Sequence, residues 1–157
     1  MHKAKELQYH TKMINSGRYV NDSMGRYIGK KVVKKIISQG KNILGAHVLV
    51  MGMTFKENVS DIRNSKVADI INEFKDFGAE VDVMDPFASP LEVLQEYGIR
   101  LVERPGKKYD AVVVAVAHTT YLKLDESYFM SITNEHAVLA DVKGVYRGSI
   151  HQMIYWS

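Results

Sequence analysis

The stretch A-H-V-L-V-M-G over residues 46–52, with T-F-K-E-N-V-S-D-I-R-N-S following over 54–65, decides the reading of the fold. A short apolar run that stops at a glycine reads as a buried strand. Beyond the polar segment, Val67, Ile70, Ile71, Phe74 and Phe77 keep helical spacing, and Gly78 stands where a helix C-cap belongs. Strand, polar loop and helix in that order form the repeating unit of a parallel sheet.

The pattern continues downstream. Residues 80–84 alternate and read as the next strand. Ser89 is a fitting N-cap, Pro90 suits the first helical position, Glu92 completes a capping box, and Gly98 ends that helix. Residues 99–102 read as a short strand and 111–116 as a strand covered on both faces. A short helix is expected over 125–132 and a last strand over 137–140. The expected class is α/β, a Rossmann-like doubly wound parallel sheet. Such sheets bind ligands beyond the carboxyl ends of their strands.

Upstream, Val20, Met24, Tyr27, Ile28, Val32, Ile36 and Ile37 make one apolar stripe, so a long N-terminal helix should precede the sheet and stop at Gly40. Residues 1–41 carry ten basic and two acidic side chains, whereas the remainder carries eleven and sixteen. This shift divides the 157 residues into a helical unit, 1–41, and an α/β unit, 42–157. Lys30, Lys31, Lys34 and Lys35 read as a solvated helix face, because the aromatic interleaving of nucleic-acid binders is missing. A net charge of +3 is likewise too small to imply nucleic acid. The absence of cysteine excludes disulfides, thiolate metal sites and a cysteine nucleophile. The six histidines show no metal-ligand spacing, and no apolar run is long enough to span a bilayer. The first ten residues have no signal-peptide core, so a cytoplasmic protein without a membrane partner is expected.

Three loops after strands could carry chemistry. The 52–65 loop brings Lys56 and Arg63 to a helix N-terminus, which suits a phosphate or diphosphate. It reads equally as a solvated loop in which Asp61 caps the helix. It is no dinucleotide fingerprint, since G-x-G-x-x-G does not occur. His118, after the 111–116 strand, is a possible acid or base, although a strand-end histidine more often only bonds backbone. Lys143 follows the last strand and either meets an anion or sits in solvent; Asp85-Pro86 reads as a turn.

Together F-K-E-x-x-x-D-x-R-N-S at 55–65, V-D-V-M-D-P-F-A at 81–88, A-V-V-V-A-V-A-H at 111–118 and D-V-K-G at 141–144 resemble the C-terminal domain of the UDP-glucose/GDP-mannose dehydrogenase family. S-G-R-Y-V-N-D-S-M at 16–24 is similar to the end of that family's central dimerisation helix, with Tyr19 where arginine is commoner. The resemblance implies a UDP-binding domain of an NAD-dependent enzyme that oxidises C6 of a nucleotide sugar through a covalent intermediate on cysteine. It is most like the branch acting on UDP-N-acetylhexosamines, with UDP-glucose as the other candidate.

Carried over residue by residue, Phe55, Lys56 and Lys143 would contact substrate, and Arg63 would reach NAD. Lys143 stands where many members have arginine, and a lysine cannot reproduce a bidentate fork. The family's N-terminal NAD domain and its cysteine are missing from this sequence, so NAD would be held mainly elsewhere and no catalytic residue is assigned. The chain should be inactive alone and dimerise through residues 10–39, with Met24, Ile28 and Val32 near the contact. The alternative is a non-catalytic nucleotide-binding or dimerisation module.

Overall fold

The structure, a computed structural model, describes residues 23–157. Val20, the 16–22 segment and the first part of the expected dimer contact lie outside the described residues. Five parallel strands form one sheet: β1 His47–Met51, β2 Glu80–Met84, β3 Tyr109–Val114, β4 Thr133–Asp141 and β5 Ile154–Trp156. Their order is β2-β1-β3-β4-β5. Helix α1 occupies residues 23–38, followed by α2 Val67–Asp76, α3 Pro90–Tyr97 and α4 Glu126–Ser131.

Period-two alternation along the strands builds two cores. Val48, Val50, Ala111 and Val113 face α1, α2 and Val93 of α3. Leu49, Met51, Val112 and Val114 face the other way, onto Phe129 of α4, Tyr121 and Tyr146. Helices on both faces make the sheet doubly wound, as expected.

The expected elements recur with shifted ends. Ser89 accepts the N–H of Glu92, and Gly98 closes α3 at φ 65°. The strand expected over 99–102 shrinks to one bridge, Leu101 to Val83. Pro105 and Gly106 follow too soon for pairing to continue. β5, unforeseen, is only three residues long; Glu126 of α4 holds the chain before it, accepting the N–H groups of His151, Gln152 and Met153 at 2.8, 2.6 and 3.0 Å.

Helix α1 lies directly on α2. A Cβ at Gly25 would stand 2.7 Å from Asp69 Cβ, and one at Gly29 would stand 2.7 Å from Glu73 Cβ. Two glycines four residues apart thus let one helix meet the other without intervening side chains. Ile28, Val32, Val33 and Ile36 enter the core beneath. This corrects the expected dimer contact: Ile28 and Val32 pack within their own subunit, and it is Met24, Tyr27 and Ile37 that stay exposed. No helix among the described residues is long and apolar enough to cross a membrane.

Candidate functional site

The chain leaves β1 toward β2 on one side and returns to β3 on the other, so the sheet has a switch point between β1 and β3. A crevice at such a point is where open α/β sheets take ligands. Here it is a cleft of about 670 Å³, walled by Thr54 and Phe55 after β1, Val116 after β3, Lys143 after β4, and Met24 and Ile28 of α1.

The ends of β2, β3 and β4 each carry a carboxylate or an imidazole that bonds the loops there. Asp141, wholly buried at the end of β4, accepts the N–H groups of Gly144 and Tyr146 at 2.8 and 2.7 Å and the Tyr155 hydroxyl at 2.7 Å. Gly144 turns there at φ 71°, a left-handed conformation that suits glycine. The turn presents Lys143, whose Nζ lies 3.6 Å from Glu57 Oε1. The Glu57 carboxyl sits below its ordinary value, first through its own backbone N–H and then, against some burial, through Lys143.

At the end of β2, Asp85 Oδ2 accepts the N–H groups of Met53 and Thr54 at 2.6 and 3.1 Å, and Oδ1 accepts those of Phe87 and Ala88 at 2.7 and 2.9 Å. Burial would raise this carboxyl. The bonds from His118, Met53, Phe87 and Ala88 outweigh burial and hold it well below the usual carboxylate range. Asp85 is therefore more than the turn residue expected. His118 does bond backbone, accepting the Asn58 N–H at 3.0 Å, but its Nε2 also lies 3.0 Å from Asp85 Oδ2.

The four expected site residues divide. Phe55, well exposed, and Lys143 share the cleft. Lys56 is exposed and outside its lining. Arg63 lines a separate groove of about 450 Å³ against Glu92 and Glu96 of α3. Its Nε and terminal nitrogen both donate to Asp61 at 2.9 Å, a fork that pulls the Asp61 carboxyl down to about 2. Asp61 thus grips Arg63 and does not cap α2, whose first turn is instead met by Ser65 Oγ, 3.3 Å from the Val67 nitrogen.

The turn after β1 does not fit a dinucleotide. Its Met53 and Thr54 N–H groups already face Asp85. A Cβ at Gly52 would stand 2.5 Å from Val116 Cβ, so β1 and β3 close against each other where a pyrophosphate would lie. The described residues hold no group of three or more His, Asp or Glu able to ligate a metal.

Sequence reasoning missed Glu57, Asp85 and Asp141 as site-building residues, and missed α1 as a cleft wall. For Asp85 and Asp141 the available signals were D-P at 85–86 and D-V-K-G at 141–144: an acid at a strand end stands next to loop amides that strand pairing leaves free.

Residues 49–148 match the model of the UDP-glucose/GDP-mannose dehydrogenase family, UDP binding domain. The chain is 39% identical over 143 residues to UDP-N-acetyl-D-glucosamine 6-dehydrogenase of Pseudomonas aeruginosa, covering 90% of this chain and 34% of that protein. The enzyme of the same name from Salmonella typhi is 37% identical over 92% of the chain, again 34% of its own length. Among solved structures, the UDP-N-acetyl-mannosamine dehydrogenase Cap5O from S. aureus superposes with a TM-score of 0.75 at 25% identity, over 95% of this chain and 33% of that one. The chain therefore spans about a third of the length of the relatives it matches.

Proposed function

Because the chain belongs to the UDP-glucose/GDP-mannose dehydrogenase family and matches its UDP-binding domain, we propose that the switch-point cleft takes the uridine diphosphate part of a nucleotide sugar. In this reading the chain serves as the C-terminal portion of an NAD-dependent UDP-sugar 6-dehydrogenase. The observation that carries it is Lys143, a cation set at the mouth of that cleft by a turn anchored on a buried carboxylate. A diphosphate would take the place of Glu57 beside its ammonium, exchanging one anion for a more highly charged one. Phe55 offers an exposed ring at the same mouth.

The names of the relatives favour a UDP-N-acetylhexosamine over UDP-glucose as substrate. Oxidation at C6 to the acid would draw on NAD and a thiolate, which this chain, without cysteine, does not supply. NAD would sit mainly on an N-terminal domain, with Arg63 turned toward it from the groove beside α3. Residues 1–41 would be the end of the dimerisation region, joined to the UDP-binding unit 42–157.

Calorimetric titration tests the binding. UDP should bind more tightly than GDP, and Lys143→Ala should weaken it by about 1–2 kcal/mol, the lower part of the range for charged hydrogen bonds because the lysine is half exposed. Lys56→Ala should cost less. Equal affinity for UDP and GDP, or an unchanged Lys143→Ala, would overturn the assignment. Incubated alone with NAD and UDP-N-acetylglucosamine, the purified chain should form no NADH; turnover above background would show a nucleophile that this reading does not contain.

A further inference from the structure

His118 is not itself among the residues that line the cleft, yet the loops after β1 and β2 both meet on its ring. The side chain is wholly buried. Nδ1 accepts the Asn58 N–H at 3.0 Å, so that nitrogen carries the lone pair and the proton is assigned to Nε2. Nε2 faces Asp85 Oδ2 at 3.0 Å and Thr54 Oγ1 at 3.3 Å. The Thr54 hydroxyl gives its own proton to the Lys56 carbonyl at 2.9 Å, leaving an oxygen lone pair for Nε2–H. One tautomer satisfies every partner. Phe87 and Tyr121 flank the ring with centroids at 4.8 and 5.5 Å, which stops it from turning over.

The geometry places both ends of one short segment on that ring. Thr54 meets Nε2 and Asn58 meets Nδ1, so residues 55–57, which bring Phe55 and Glu57 to the cleft, are bracketed from behind. Asn58 is held at φ 60°, a conformation uncommon outside glycine and asparagine, and its Oδ1 accepts both the N–H and the hydroxyl of Thr119 at 2.9 Å. From this we propose that His118 is a positioning residue. Its two nitrogens hold the 55–57 segment in the shape that receives a nucleoside diphosphate, without touching the ligand. The inference rests on the assignment of UDP to the cleft. A segment already ordered binds without the entropic cost of ordering it.

The test uses the 157-residue chain and three variants, His118→Ala, His118→Asn and His118→Gln, with UDP affinity by calorimetry and amide exchange by NMR. Asparagine places Oδ1 where the ring holds Nδ1 and so keeps an acceptor for the Asn58 N–H. His118→Ala should speed exchange at Asn58 and weaken UDP roughly tenfold, about what re-ordering one freed residue costs. His118→Asn should recover most of that loss, and imidazole nitrogen shifts of the parent chain should show the proton on Nε2. Should His118→Ala fail to fold, His118→Gln decides: its longer amide reaches the Nε2 partners but leaves the Asn58 N–H without its acceptor, and it should weaken UDP several-fold.

A His118→Ala chain that melts earlier yet binds UDP undiminished makes the histidine merely structural and overturns the inference. So does a folded His118→Asn that recovers nothing, a proton found on Nδ1, or an unchanged His118→Gln affinity. Failure of the parent chain to take up UDP would instead defeat the assignment of the cleft, and the inference with it.

Discussion

At the end of β2 one buried carboxylate collects four backbone N–H groups and an imidazole, and it does so as an anion. Because the folded-state pKa of Asp85 is depressed, this arrangement stabilises the fold above the ordinary aspartate value. That contribution should drain as pH falls below about 3.9, where the unfolded chain begins to take up the proton first. Asp85→Asn puts a neutral acceptor and an unwanted donor among the same N–H groups. It should cost about 2–3 kcal/mol at pH 7, the scale of hydrogen bonds to charged groups, and the gap from the parent should narrow in acid. Urea unfolding of both chains at pH 7 and at pH 3 measures this. An equal gap at the two pH values would mean that Asp85 is not ionised in the fold.

Among the elements, the contact of α1 with α2 is sensitive to a single added carbon. At Gly29 an added Cβ would meet Glu73 Cβ at 2.7 Å and Cγ at 2.9 Å, with the Ile70 carbonyl behind. Gly29→Leu should therefore lower stability by about 1–3 kcal/mol, as overpacking does, although leucine is the better helix former. Lys34→Ala, on the exposed face of the same helix, should change the urea midpoint little. Periodicity gave no sign of this seam, because a hydrophobic stripe weighs side chains and glycine has none. It did give α2 and α3 nearly to the residue, since apolar spacing, Ser89, Pro90 and Gly98 are local signals. β5 was illegible for the opposite reason: three residues carry no period, and the bond that places them comes from Glu126, some 25 residues earlier. The site shows the same division. Lys56 and Arg63 stood out by charge beside a helix start, while the 33-residue span between Asp85 and His118 hid their pairing.

For the whole molecule, the exposed part of α1 bears on assembly. Met24, Tyr27 and Ile37 remain exposed at 44, 52 and 50% while the other face of the helix fills the core. If the chain self-associates through this helix, Tyr27→Asp and Ile37→Asp should lower the sedimenting mass without altering the fold. Ile28→Asp should instead unfold the domain, because that side chain lies in the core. A mass unchanged by both surface variants would place the contact elsewhere. Helix α1 is also a mechanical part. Met24, Gly25 and Ile28 form one wall of the cleft, and the glycine seam leaves the helix no slack along α2. Any displacement of α1 along α2 would therefore also move one wall of the cleft.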